Sequence, residues 1–167
     1  MMQDPIVDFY TAQKTFGVIR VAVGALSVII PIMFVMYQLR NKFFLGMLVA
    51  LIVLGVPALI TGKDQHEGAD KIKGEAVEFY STDPTGFRKD ELPKIKEESS
   101  AVNKNLITYA FLLLAGMGLF FLQRHKRAWL AGIGLGLIIL STANLTFDFM
   151  ARQRTQTYLT FLEQLPE

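Results

Sequence analysis

The sequence predicts an all-α, polytopic membrane protein: a four-helix transmembrane bundle with a short helical cap on the extracytoplasmic side. Three observations carry that prediction. Four apolar runs, 15–38, 42–62, 105–123 and 128–148, fall in two tight pairs. Each is close to the roughly 20 residues that a helix rising about 1.5 Å per residue needs to cross a hydrocarbon core about 30 Å thick. The linkers inside the pairs, Leu39–Lys42 and Arg124–Arg127, hold five Lys or Arg and no acid. Finally, 51% of the chain is hydrophobic although 19% is charged, with a mean hydropathy of +0.35, so the apolar residues are gathered in blocks.

Composition also excludes several classes. A formal net charge of +2 over 167 residues gives no reason to expect a nucleic-acid partner. With no cysteine, disulfides, thiolate catalysis and Cys-ligated metal sites are ruled out. The first residues, Met1 to Asp8, carry acid rather than a basic leader, and the run that follows has no small-residue cleavage site. The first span is therefore expected to stay as an anchor.

The first helix is expected to start before the membrane, with Asp4 as N-cap, Pro5 at the first helical position, and Ile6, Phe9 and Tyr10 facing one way. Both basic linkers are placed in the cytoplasm by the positive-inside rule, so that both termini and the segment 63–104 lie outside. That segment carries eight Lys or Arg against ten Asp or Glu. Ile72, Ala76, Phe79 and Tyr80 recur at helical spacing in its first half, Thr82-Asp83-Pro84-Thr85-Gly86 reads as a turn, and Leu92, Ile95 and Val102 share a side of its second half. Two short external helices joined by that turn are expected, the second starting near Asp90 with Pro93 in its first turn and running into the third span. After the fourth span, the tail 149–167 is amphipathic, with Tyr158, Phe161, Leu162 and Leu165 as its stripe. Such stripes pack on the external helices, lie on the lipid surface, or dock a partner.

A shift of 84 residues lays Arg40 on Arg124, Lys42 on Lys126, Asp64 on Asp148 and Arg20 on Lys104. Both halves then read span, basic turn, span, which describes a parallel repeat about an axis normal to the membrane.

Polar groups within the spans are the candidate site residues. Arg20 in the first span and Asp148 at the end of the fourth both fall near the outer interface, where an ion pair between them would tie the first span to the last; the alternative is a proton or ion relay through Asp148. Ser141, Thr142, Asn144 and Thr146 add hydrogen-bonding groups, with Asn144 expected to face the bundle, in an interhelical bond or an outward-opening polar pocket. Gly132 and Gly136, with Gly134 between them, form a small-residue surface matched by Ala115, Gly116 and Gly118 for close helix packing. Pro31 and Pro57 are read as kinks repaired by neighbours, or else as hinges.

Asp64, His66, Glu67 and Asp70 form an external cluster whose ligand types suit a divalent cation, although a solvated helix start accounts for the same residues. The two histidines, His66 and His125, fall on opposite sides and share no metal or haem. No nucleophile with its base, no metal triad and no nucleotide loop is present, so no catalytic residue or cofactor is assigned and an enzyme is the class least favoured.

Leu59-Ile60-Thr61-Gly62, the charged external segment and Lys96-Glu97-Glu98-Ser99-Ser100-Ala101 leading into the third span resemble small bacterial inner-membrane proteins of an uncharacterised four-span family. Many such proteins carry a His before the third span where this chain has Glu98-Ser99-Ser100. The resemblance implies a bacterial cytoplasmic membrane. The function expected is non-enzymatic: an accessory or scaffold subunit meeting membrane-protein partners through its helices and cap, with Phe79, Tyr80, Tyr158 and Phe161 as partner surface. One alternative is a small homo-oligomeric transporter or channel with an outer pocket around Asn144, Asp148 and Arg20. Another is an immunity or sensor protein binding a ligand through exposed Phe79, Tyr80 and Phe87.

Overall fold

A computed structural model describes residues 4–37 and 41–166. Four helices account for nearly all of them: α1 (Asp4–Tyr37), α2 (Lys42–Thr82), α3 (Pro84–Gln123) and α4 (Ala128–Glu163). Each is long and apolar enough to cross a membrane. The fold is an all-α four-helix transmembrane bundle.

The helices are longer than a bilayer requires. At about 1.5 Å per residue the 41 residues of α2 extend about 60 Å, twice the hydrocarbon thickness. The segment 63–104 is therefore not a pair of separate short helices. No break separates the second span from Lys63–Thr82, because between Gly62 and Asp83 the chain offers helix formers and no proline. Gly62 itself is buried against α1, where a Cβ would come within 2.8 Å of the Val21 nitrogen, so this glycine serves packing rather than termination. The expected five-residue turn contracts to Asp83 alone. Its N–H donates to the Phe79 carbonyl at 2.9 Å, its Oδ1 accepts from the Gly86 N–H at 2.9 Å, and Pro84 takes the first helical position of α3. One residue thus ends α2 and starts α3. Pro93 consequently lies inside α3 rather than in its first turn, and α1 and α2 run unbroken through Pro31 and Pro57.

Helix α1 packs on α2, α2 on α4 and α4 on α3, with only brief contacts between α1 and α4 and between α2 and α3. The order of contact is therefore α1, α2, α4, α3, with the α2 and α4 pair in the middle. Glycines set the separations. A Cβ on Gly132 would overlap the Phe43 carbonyl oxygen, one on Gly46 the Trp129 carbonyl oxygen, and one on Gly136 would sit 2.8 Å from the Ala50 Cβ. Gly132 and Gly136 therefore face α2, not the third span as expected. The α3 contact falls to Gly134, opposite Gly116, whose own Cβ would lie 2.9 Å from the Gly134 oxygen. Gly118 has open space where its Cβ would stand and takes no part in packing.

The 84-residue shift carries the bounds of α1 onto 88–121 of α3 and those of α2 onto 126–166, spanning α4. Helices α2 and α4, the second members of the hairpins, run parallel and meet at near-equivalent positions, Gly46 opposite Trp129, 83 residues on.

The buried apolar core lies beyond the most apolar stretches, at the Asp83 end. Ile6, Phe9 and Tyr10 of α1, Ala76 and Tyr80 of α2, Phe87 and Ile95 of α3, and Tyr158 and Leu162 of α4 are all buried together. Phe9 stacks on Tyr158 with ring centroids 4.2 Å apart, and Tyr80 meets Phe87 edge to face at 5.6 Å. Charged side chains such as Lys71, Glu75, Asp90 and Lys94 cover the outside of this part of the bundle, a surface suited to water, where the hydrophobic effect holds such a core together as it cannot between helices in lipid.

Gly132→Val should push α2 and α4 apart and cost about 1–3 kcal/mol, as overpacking does in other cores. Gly118→Ala should be neutral or stabilising by up to about 1 kcal/mol through helix propensity. Unfolding of both variants in mixed detergent micelles checks the contrast.

Candidate functional site

From Ser141 of α4 to Leu165 just past its end, the sequence holds a seam of alternating three- and four-residue steps: 141, 144, 148, 151, 155, 158, 162 and 165. Such a repeat keeps one line of side chains facing neighbouring helices. Along it Ser141, Asn144, Asp148, Thr155, Tyr158, Leu162 and Leu165 are all buried. The seam turns from polar to apolar as it leaves the spans for the outer core.

Its centre is the ion pair between Arg20 Nη2 of α1, which donates, and Asp148 Oδ1 of α4. The aspartate side chain is 1% exposed and the arginine 17%. The two residues lie 128 positions apart in sequence, and the pair joins α1 to α4, which also meet where Phe9 stacks on Tyr158. A charge pair in such surroundings gains strongly from mutual attraction, against a large desolvation cost. The second carboxylate oxygen, Oδ2, is buried without a hydrogen-bond partner, as is the Ser141 hydroxyl. Asn144 is buried, but its amide donates to the Leu140 carbonyl of its own helix at 3.0 Å rather than across the bundle. Thr142 and Thr146 likewise bond to their own helix, at 2.8 and 3.0 Å, and face outward. Of the polar residues expected at the site, Arg20, Ser141, Asn144 and Asp148 thus face the interior.

The repeat is broken at this point. Asp64 and Lys104, which the 84-residue shift equates with Asp148 and Arg20, are exposed, and among the described residues no ion pair joins them.

Arg154 continues the polar line one step outward. Its guanidinium lies over the rings of Phe9 and Phe16, 5.3 and 5.2 Å from their centroids, and its Nε and Nη1 are buried without hydrogen-bond partners. Burial pushes the Glu98 carboxyl above its usual range, opposed by the positive charge of Arg154. Further out, Tyr10 donates to Glu91, a buried bond between the first and third helices, and burial raises the phenol of Tyr10 well above its ordinary value. Sequence reasoning assigned no role to Glu98, Glu91, Arg154 or Thr155. The three-four spacing from Ser141 to Leu165 was a signal for Thr155 alone; Arg154 lies off that seam, and Glu91 and Glu98 belong to α3.

The proposed cation cluster is not assembled. Asp64, His66, Glu67 and Asp70 lie in the middle of α2, not at a helix start, and among the described residues no group of three His, Asp or Glu is placed to hold a metal ion. Asp70 instead pairs with Lys14 of α1, and Glu67 lies 3.7 Å from Lys63 on its own helix. The Lys14 ammonium holds the Asp70 carboxyl below its usual range.

The proposed partner surface also needs correction. Tyr80 and Tyr158 are core residues, Phe161 packs against that core, and Phe87 is fully buried. Their stripes are covered by the chain's own helices. Phe79, 39% exposed, is the one of these aromatics that keeps a substantial outward face.

No family model, no curated protein and no solved structure matches this chain.

Asp148→Asn should lower stability by about 1–3 kcal/mol, the cost of leaving a buried hydrogen-bonding partner unsatisfied. Arg20→Gln combined with it should lose less than the sum of the singles, because the two side chains share one interaction. Thermal unfolding of the four proteins of this cycle in one detergent measures the coupling.

The raised Glu98 carboxyl makes the native state bind its proton more readily than the unfolded chain. This contribution to stability is full below the ordinary value near 4.5 and is lost as pH rises from there through the folded value. Glu98→Gln should flatten that part of the profile of melting temperature against pH.

Proposed function

We propose that this protein is a non-enzymatic accessory or scaffold subunit of a larger membrane assembly. One observation carries the reading: four membrane-crossing helices continue without interruption into a self-packed bundle, so the chain forms a rigid post fixed in the bilayer. Continuous helices and a buried distal core suit a part that holds others in position. The lateral surface is available for neighbours. Only 6% of the most apolar window of α3 is buried, and Ile107, Phe111, Leu114 and Leu122 project outward. On the positive-inside rule the basic loops face the cytoplasm and the distal bundle stands outside, in keeping with the resemblance to bacterial inner-membrane proteins.

A second reading has its own observation. The buried polar seam with unpartnered oxygens on Ser141 and Asp148 is the kind of feature that a small transporter or channel uses. Four spans leave little room for a pore in one copy, so this reading requires a homo-oligomer.

Extraction of the tagged protein from its native membrane in mild detergent, followed by mass spectrometry of the native-mass species, separates the two. Other membrane proteins in fixed ratio are expected. A homo-oligomer alone, together with ion flux in liposomes that Asp148→Ala abolishes, would replace the scaffold by the transporter.

A further inference from the structure

The parallel crossing of α2 and α4 places the starts of both helices side by side at the basic-loop end. Between them lies a cleft of about 390 Å³ lined by Lys42, Lys126, Arg127, Ala128, Trp129 and Leu130. Three cations from two loops that are more than eighty residues apart in sequence converge there. Among the described residues none of the three has an acidic partner, and neither helix has an acid in its first turn. Elsewhere the chain does neutralise its charges, as at Lys14 with Asp70, Lys94 with Asp90 and Arg20 with Asp148. The cleft is therefore a concentration of uncompensated positive charge at the depth where lipid headgroups lie.

The surroundings distinguish a lipid from a free anion. Lys42 stands at the head of an outward stripe of α2 formed by Leu45, Val49, Val53, Val56 and Ile60, all exposed apolar side chains at three- and four-residue steps. An acyl chain lying along that stripe would bring its headgroup to Lys42. Trp129, 44% exposed at the mouth of the cleft, has the amphipathic ring that favours the headgroup region. Helix α4 opens there without a side-chain cap, which leaves its first N–H groups directed the same way and adds to the positive potential. Basic pockets between helices at such a depth are suited to anionic headgroups.

We propose that this cleft binds one anionic phospholipid, with its phosphate among Lys42, Lys126 and Arg127 and an acyl chain along the outward stripe of α2. The site does not depend on the scaffold reading.

The test uses the full chain purified in neutral detergent and stripped of lipid. It is titrated with phosphatidylglycerol, with phosphatidylcholine of the same acyl chains, and with inorganic phosphate, and bound lipid is counted by native mass spectrometry. One phosphatidylglycerol per chain should be retained in preference to phosphatidylcholine. The variant carrying Lys42→Gln, Lys126→Gln and Arg127→Gln should lose that preference by on the order of a hundredfold, from the attraction typical of each cation near an anionic surface. Arg124→Gln removes the same charge from the same loop outside the cleft, where Arg124 lies 6.0 Å from the Phe121 ring centroid, and should leave the preference intact. If the triple variant does not fold, Arg127→Gln alone should reduce the preference about fivefold. Equal retention of the two lipids, or equal loss in Arg124→Gln and the cleft variants, would overturn the proposal. Complete displacement of phosphatidylglycerol by millimolar inorganic phosphate would also overturn it, making the cleft a site for the free anion.

Discussion

The close approach of α2 and α4 is the constraint from which the rest of the arrangement follows. In lipid, apolar side chains gain little by leaving their solvent, so helices associate where backbones come near enough for dispersion contacts to accumulate. Gly46, Gly132 and Gly136 permit that approach by removing the atoms that would otherwise collide. Once α2 and α4 form the central pair, α1 packs on the one and α3 on the other. Their outward faces then belong to the bilayer, and the starts of α2 and α4 are forced together at the basic-loop end.

Beyond the membrane the governing force changes while the helices do not. The outer bundle buries Phe9, Tyr80, Phe87, Tyr158 and Leu162 as a water-soluble domain would. The inner bundle is held by glycine contacts and by the bond between Arg20 and Asp148. These two kinds of cohesion meet along α4, whose seam passes from Ser141 and Asp148 to Tyr158 and Leu162. Polar residues at the inner part of such a seam favour one register of the helices, since a slip by a single turn would leave Asp148 without Arg20.

Much of the architecture was legible in the residues because membrane helices obey a strong length rule. Runs of about 20 apolar residues, and basic turns between them, leave few alternatives. The Asp83-Pro84 pair likewise announced its turn. What stayed hidden was continuity. At Gly62-Lys63 hydropathy falls sharply while helix propensity does not, and a reading based on hydropathy divides a helix that the backbone does not. Amphipathic stripes posed the complementary problem. Tyr80 and Tyr158 advertised a face to be covered, but a stripe does not say by what, and here the chain covers its own. The pairing of Arg20 with Asp148 was proposed from depth alone, whereas Glu98 and Arg154 looked like ordinary surface charges because nothing in their neighbourhood in sequence marks them as enclosed.

The single-residue turn at Asp83 has a mechanical consequence. With α2 and α3 running about 60 Å each and joined there without slack, their shared tip cannot slide past α1 and α4 while Phe9, Tyr80, Phe87 and Tyr158 stay buried together. A tilt of the whole bundle by about 5° in the bilayer would therefore carry that end through about 5 Å as one body, given the rise of a helix.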